Sequence, residues 1–232
     1  MIPFKDDNPT ERYPVVTVGL IVLNVLVYLY QLSLGGQGQE EFFKRMGAIP
    51  YEISRMVDIG PAALIPIPLT VISAMFMHGG LMHLGGNMLY LWIFGDNVED
   101  AMGRVRFLLF YLICGVAASG LHIVVDPSSR IPMVGASGAI AGVLGAYLLL
   151  YPQARVYTLL FLFFFIQVVR LPALYVLGFW FLLQVLYGLP SLGGASSGGV
   201  AWFAHIGGFA AGMILIKGFA RPRPAKRMWY FR

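Results

Sequence analysis

Four polar residues stand out within long apolar stretches of this chain. His83 and Asn87 are four positions apart in one stretch, so on a helix they lie on the same face. Ser137 lies among small residues in a second stretch, and His205 lies in a third. Polar side chains are unfavourable in apolar surroundings, so we treat these four residues as functional candidates.

Together these residue types can carry out acyl transfer. A serine hydroxyl becomes a nucleophile when a nearby base accepts its proton, and His205 is the natural base for Ser137. No acidic residue lies deep in an apolar stretch to orient the imidazole, so the sequence predicts a Ser–His pair and not a triad. His83, Asn87 and the backbone N–H of Ser137 can donate hydrogen bonds to the oxyanion that forms on a carbonyl oxygen.

The composition indicates that a membrane surrounds these residues. The chain of 232 residues is 58% hydrophobic and 12% charged, with a mean hydropathy of +0.75, whereas soluble domains have about 25% charged residues. We predict an all-α, polytopic membrane protein with six spans. They lie at approximately 14–33, 80–96, 107–125, 133–151, 172–189 and 199–219.

Two segments between these spans need separate interpretation. Residues 34–79 contain several prolines and glycines and are predicted to form a large, partly helical first loop. Residues 156–169 are apolar but too short for a span of about 20 residues, and arginines lie on both sides. We expect this segment to be an interfacial or cytoplasmic piece that does not cross the bilayer.

The basic residues predict the orientation. With six spans, 12 of the 16 Lys and Arg residues lie on the side of the termini and 4 on the other side, which places both termini in the cytoplasm. We therefore expect a cytoplasmic tail at 1–13, a membrane domain at 14–219 and a basic cytoplasmic tail at 220–232. The expected location is a bacterial plasma membrane. Because six of the basic residues lie at or after the end of the last span, the net charge of +5 favours the lipid bilayer as partner and not nucleic acid.

Depth connects the four candidates. At about 1.5 Å per helical residue, Ser137 lies roughly 6 Å and His205 roughly 9 Å inside the outer ends of their spans. His83 and Asn87 lie roughly 5 and 10 Å inside theirs. Each residue alone is more often structural, for example a histidine bonded to a neighbouring helix or a serine bonded to its own backbone. Unrelated structural residues have no reason to share one level.

Other protease chemistries fit the sequence less well. A zinc site of the H-E-x-x-H type needs a glutamate between its histidines, and none lies between His78 and His83. An aspartyl protease needs two intramembrane acids, whereas Asp96 is alone at a span end. We predict neither a metal nor a cofactor.

Three motifs together resemble the signature of the rhomboid intramembrane serine proteases. They are His78-x4-His83-x3-Asn87, Gly135-Ala136-Ser137-Gly138 and Ala201-x3-His205-x2-Gly208-x3-Gly212. Residues 95–103 are similar to the stretch that links the second and third spans in that family, and the resemblance covers roughly 13–219.

This resemblance implies a rhomboid-like bundle of six transmembrane helices and a set of roles. Ser137 is the nucleophile, His205 the general base, and His83 and Asn87 line the oxyanion hole. His78 is structural, as are the glycines near the site, namely Gly135, Gly138, Gly208 and Gly212. The implied substrates are transmembrane proteins, cut where a membrane helix unwinds easily.

The sequence departs from the family pattern at two points. Four residues after the nucleophile the family often has an aromatic residue that stacks on the base, but this chain has Ala141. Another group must therefore hold the ring of His205. The Trp-Arg pair that many members carry in the first loop is also absent.

Two other functions remain as alternatives. A non-catalytic rhomboid-like protein that binds client transmembrane helices needs neither Ser137 nor His205, and both are present. A channel or transporter needs polar residues through the full depth of the membrane, whereas the candidates here are confined to the outer half.

Overall fold

The computed structural model describes residues 1–162, 165–190 and 200–221, and this part of the chain is mostly helical. The helices are α1 Val15–Ser33, α2 Gly35–Met46, α3 Pro50–Arg55, α4 Thr70–Ala74, α5 Leu81–Met102, α6 Arg104–Val125, α7 Ser137–Leu150, α8 Ala173–Gly188 and α9 Trp202–Phe219. The strands are β1 Ile2–Asp6, β2 Arg155–Leu162 and β3 Phe165–Pro172. Most of the predicted basic tail, residues 222–232, lies outside the described residues.

Of the helices that the structure describes, three are long and apolar enough to cross a membrane, namely α1, α6 and α9. Two more, α7 and α8, are apolar but shorter. The helix α5 extends to Met102, beyond the predicted end of the second span at 96. It ends at Gly103, whose φ of 82° allows the chain to turn directly into α6.

The helix α7 is the centre of the molecule. All residues from Gly138 to Tyr147 are buried, because α5, α6, α8 and α9 pack around it. Small residues make the packing close: a Cβ atom on Gly208 would clash with the carbonyl oxygen of Gly138, and one on Gly212 with that of Gly142. The second pair is four residues further along both α7 and α9 than the first. The two helices therefore run in the same direction and begin beside each other.

The expectation of an all-α chain needs one correction, because the protein contains a three-stranded antiparallel sheet in the order β1-β2-β3. β2 and β3 form a hairpin from the apolar segment 156–169, which is rich in β-branched and aromatic residues that favour strands. The backbone N–H of Ala173 donates to the carbonyl of Ala154 at 2.8 Å. The hairpin therefore brings the start of α8 back to the end of α7.

Residues 34–79 contain the short helices α2, α3 and α4 and a 3-10 turn at Ile67–Leu69. This segment is held at the start of α7, since Ala48 and Met133 form an isolated antiparallel bridge and the N–H of Gly135 donates to the carbonyl of Ala74 at 2.9 Å. The segment thereby fixes the backbone that precedes Ser137.

Candidate active site

Ser137 is the first residue of α7 and follows a sharp turn of the chain. Gly135 has a φ of 129°, a conformation that glycine tolerates and L side chains rarely adopt. A Cβ atom here would lie 2.7 Å from Cε1 of His83 and 3.6 Å from Oγ of Ser137. Gly135 therefore allows His83 to approach the backbone next to the serine. The N–H groups in the first turn of α7 lack partners within the helix.

Ser137 and His205 are in direct contact. Nε2 of His205 lies 2.8 Å from Oγ of Ser137. The contact forms because α7 and α9 begin beside each other and are packed closely through their glycines. The distance is that of a hydrogen bond, which is the arrangement a serine needs if it is to give its proton to a base.

The other ring nitrogen of His205 also has a partner, on α8. Nδ1 lies 2.8 Å from Oε1 of Gln184. The rings of Trp180 and Trp202 lie near the imidazole, with centroid distances of 5.9 and 6.2 Å. Gln184 and these two rings hold the imidazole of His205. They take the place of the aromatic residue that is absent at Ala141.

Gln184 is not among the residues predicted from the sequence. The absence of an acid deep in a span predicts a Ser–His pair, whereas the structure places an amide at Nδ1 of His205. The signal was present, because Gln184 is a polar residue in an otherwise apolar predicted span and such residues are functional candidates.

His83 and Asn87 line the same cavity as Ser137 and His205. His83 is exposed to this space, whereas Asn87 is buried and its Nδ2 has no hydrogen-bond partner among the described residues. Nδ1 of His83 accepts a long hydrogen bond of 3.4 Å from the N–H of Gly79. In the neutral ring the proton is therefore on Nε2. Both side chains can thus donate to a group placed at Ser137.

His78 does not line the cavity and lies behind His83. It is 1% exposed, and its ring contacts that of His83 edge-on at 5.1 Å between centroids. Its backbone is tied to α1, because Gln31 accepts from its N–H at 3.1 Å and donates to its carbonyl at 2.9 Å. Burial lowers the pKa of His78 to about 4, with a smaller effect of His83, so the ring is neutral at pH 7.

The cavity that joins these residues has a volume of about 1080 Å³. Its walls come from α5, α6, α7, α8, α9 and the loop before α7. The polar side chains that line it include Ser137, His205, His83, Asn87, His122 and Gln184, and the apolar ones include Ile140, Leu144 and Trp180. A peptide segment and a water molecule can therefore reach Ser137 together. Within residues 1–162, 165–190 and 200–221, no group of three or more His, Cys, Asp or Glu side chains could hold a metal ion.

Comparisons with known proteins agree on one family. The family model of the Rhomboid domain matches residues 68–222, which is more than half of the 232 residues. The chain is 33% identical over 145 residues to Rhomboid protease GluP of Bacillus subtilis, covering 62% of this chain and 25% of that protein. It is 36% identical over 99 residues to the mitochondrial Rhomboid protein 1 of Saccharomyces cerevisiae, covering 41% and 28%.

A plant relative extends the agreement. RHOMBOID-like protein 4 of Arabidopsis thaliana is 36% identical over 146 residues, which covers 62% of this chain and 32% of that protein. The matched part of the chain thus spans between a quarter and a third of the length of these three relatives.

Proposed function

The chain belongs to the rhomboid family and is an integral membrane protein, and from this premise we propose that it is an intramembrane serine endopeptidase. The observation that carries the proposal is the 2.8 Å contact between Oγ of Ser137 and Nε2 of His205, two residues 68 positions apart in the sequence. The substrates are transmembrane proteins, cut within or near a membrane segment that unwinds easily.

In the first step Ser137 attacks a peptide carbonyl carbon. Nε2 of His205 accepts the hydroxyl proton as Oγ bonds to the carbon, and the carbonyl electron pair moves to the oxygen. When the carbon–nitrogen bond breaks, the departing amine takes the proton from His205. A water molecule then gives a proton to His205, attacks the acyl-enzyme, and releases Ser137 as the hydroxyl is reprotonated.

His83, Asn87 and the backbone N–H of Ser137 stabilise the negative charge on the carbonyl oxygen. The position of the His83 ring beside Gly135 and the unpartnered Nδ2 of Asn87 support these roles. A donor that is already in place when the charge forms contributes about 3–4 kcal/mol.

We propose that α1, α5, α6, α7, α8 and α9 cross the bilayer, within a membrane domain at 14–219. The hairpin of β2 and β3 supports this count, since it joins α7 and α8 on one side of the molecule. The positive charge bias then places the tails at 1–13 and 220–232 in the cytoplasm of a bacterial cell, and the cavity at Ser137 opens on the opposite side.

The test is cleavage of a model transmembrane substrate in proteoliposomes. Ser137→Ala and His205→Ala should each lower the rate by at least about 10³-fold. Ser119→Ala removes a half-buried serine on α6 that does not line the cavity, and it should leave the rate unchanged. Fluorophosphonate should label the wild type and Ser119→Ala but not Ser137→Ala.

Two outcomes would contradict the proposal. Equal rates in all four proteins would show that Ser137 and His205 do not catalyse the cleavage. Capture of the substrate helix by the wild type without cutting or fluorophosphonate labelling would favour a protein that binds client helices.

A further inference from the structure

Gln184 has an environment unlike that of its neighbours on α8. The helix contains no charged residue, and Gln184 is its one amide. The side chain is 6% exposed, and both ends of the amide are bonded. Nε2 donates to the carbonyl of Trp180 at 2.9 Å, and Oε1 lies 2.8 Å from Nδ1 of His205.

These two contacts leave one consistent assignment of hydrogens. The carbonyl of Trp180 can only accept, so the NH₂ end of Gln184 must face it, and the oxygen end then faces His205. An amide oxygen can also only accept, so Nδ1 of His205 must carry a proton. A neutral imidazole has one N–H, and Nε2 therefore presents its lone pair to the hydroxyl of Ser137.

We propose that Gln184 is a positioning residue that sets the tautomer and the ring orientation of His205 for proton transfer from Ser137. It bonds Nδ1 of His205, whereas Ser137 bonds Nε2, so it acts through the imidazole. This inference rests on the proposed function, and it assigns to an uncharged amide the place that a carboxylate has in a Ser–His–Asp triad.

Gln184→Leu removes the acceptor and keeps a side chain of similar size. We expect kcat to fall by about 10- to 100-fold, the size of one hydrogen bond to a group that becomes charged in the reaction. The effect on kcat should exceed any effect on KM, because the bond to Nδ1 of His205 matters most when the imidazole becomes charged. The thermal midpoint alone would not distinguish this role from a structural one.

Gln184→Glu is the matched conservative variant, since it keeps an oxygen within reach of Nδ1. It should restore kcat to within a few-fold of the wild type. A carboxylate beside Nδ1 favours the charged imidazolium, so the acid limb of the pH–rate profile should move to higher pH.

Gln31→Leu is the control for loss of a buried amide. Gln31 lies on α1, is 1% exposed, and makes two hydrogen bonds to the backbone of His78, with no bond to His205. Its loss should lower the thermal midpoint and leave the shape of the pH–rate profile unchanged.

Nitrogen NMR of the histidine rings tests the tautomer without any need for activity. In protein labelled with ¹⁵N-histidine, the His205 signals are assigned by their loss in His205→Ala. We expect the Nδ1–H form in the wild type and a gain of the Nε2–H form in Gln184→Leu.

The two measurements separate the two proposals. An unchanged tautomer together with an unchanged kcat in Gln184→Leu would overturn the role of Gln184 and leave the protease intact. A changed tautomer in a protein that cuts no substrate would support the positioning role and count against the proposed function.

Discussion

Glu99 and Asn87 are buried polar residues toward opposite ends of α5, and they differ in how completely their hydrogen bonds are made. At the end near Met102, Glu99 accepts from the N–H of Val16 at 3.0 Å and from the N–H and hydroxyl of Thr17 at 2.7 and 2.8 Å. At the other end, Nδ2 of Asn87 lacks a partner among the described residues, as does Nδ1 of the half-buried His122 on α6, and both residues line the cavity of about 1080 Å³.

The contacts of Glu99 are explained by structure alone. The first turn of α1 has N–H groups without partners inside the helix, and a carboxylate at a helix N-terminus satisfies them and interacts favourably with the helix dipole. Glu99 is 3% exposed, so the bonds also connect α1 to α5 in an apolar setting. Burial of a polar group therefore does not by itself identify a reactive site, and Asn87 differs from Glu99 in having an unpartnered donor beside the cavity that contains Ser137.

The largest expected effect tests whether Ser137 and His205 act as one unit. We expect Ser137→Ala and His205→Ala each to lower kcat/KM by at least about 10³-fold, and the double variant to be no worse than either single one, because groups that act together are not additive. The measurement is cleavage in proteoliposomes over long incubations. A double variant slower by the product of both effects would mean that the two residues act separately.

The next effect concerns the unpartnered amide. Asn87→Ala should lower kcat by about 10²-fold, because a donor to the oxyanion is lost, and KM should change little. Asn24→Ala is the matched control, since Asn24 is buried on α1 and its Nδ2 already donates to the carbonyl of Leu20 at 2.7 Å. If both variants lowered kcat equally, Asn87 would have no special role.

At Glu99 the expected effect is on stability and not on catalysis. Glu99→Gln puts an NH₂ group against donors of α1 and should lower the free energy of unfolding by about 2–3 kcal/mol. Asp100→Asn, at the adjacent half-buried position, keeps an oxygen for the N–H of Glu11 and should change it by less than about 1 kcal/mol. Unfolding in detergent and kcat per folded molecule are measured for both. A loss of kcat without a loss of stability in Glu99→Gln would place Glu99 among the functional residues.

The comparison of Glu99 with Asn87 also shows what the sequence could predict. Apolar runs indicated most of the long helices, because lipid-facing segments must satisfy their backbone internally. The spacing of His83 and Asn87, and the positive charge bias, placed four polar residues at one level. Their proximity, however, depends on the packing of α7 against α9, which only the structure shows.

Two features could not be settled by such reasoning. The strands β2 and β3 come from a short apolar run, for which periodicity does not separate helix from strand. The importance of Gln184 depends on the direction of its amide toward His205, and this direction cannot be read from a single polar residue in an apolar span.

The smallest expected effect is at Asp6 on β1. Its half-buried carboxylate accepts a hydrogen bond from the hydroxyl of Tyr147. Burial raises the pKa of Asp6 from 3.8 to about 6, although the hydrogen bond from the hydroxyl of Tyr147 opposes the shift. The folded protein then binds the proton more tightly than the unfolded chain, so stability should decrease as the pH rises from about 4 to about 6.

Asp6→Asn keeps an oxygen for Tyr147 and removes the charge. It should flatten this slope and raise the thermal midpoint slightly at pH 7, whereas Asp58→Asn in the exposed part of the first loop should keep the wild-type slope. Thermal midpoints in detergent between pH 4.5 and 7.5 measure this, and a slope in Asp6→Asn equal to that of the wild type would assign the pH dependence to other groups.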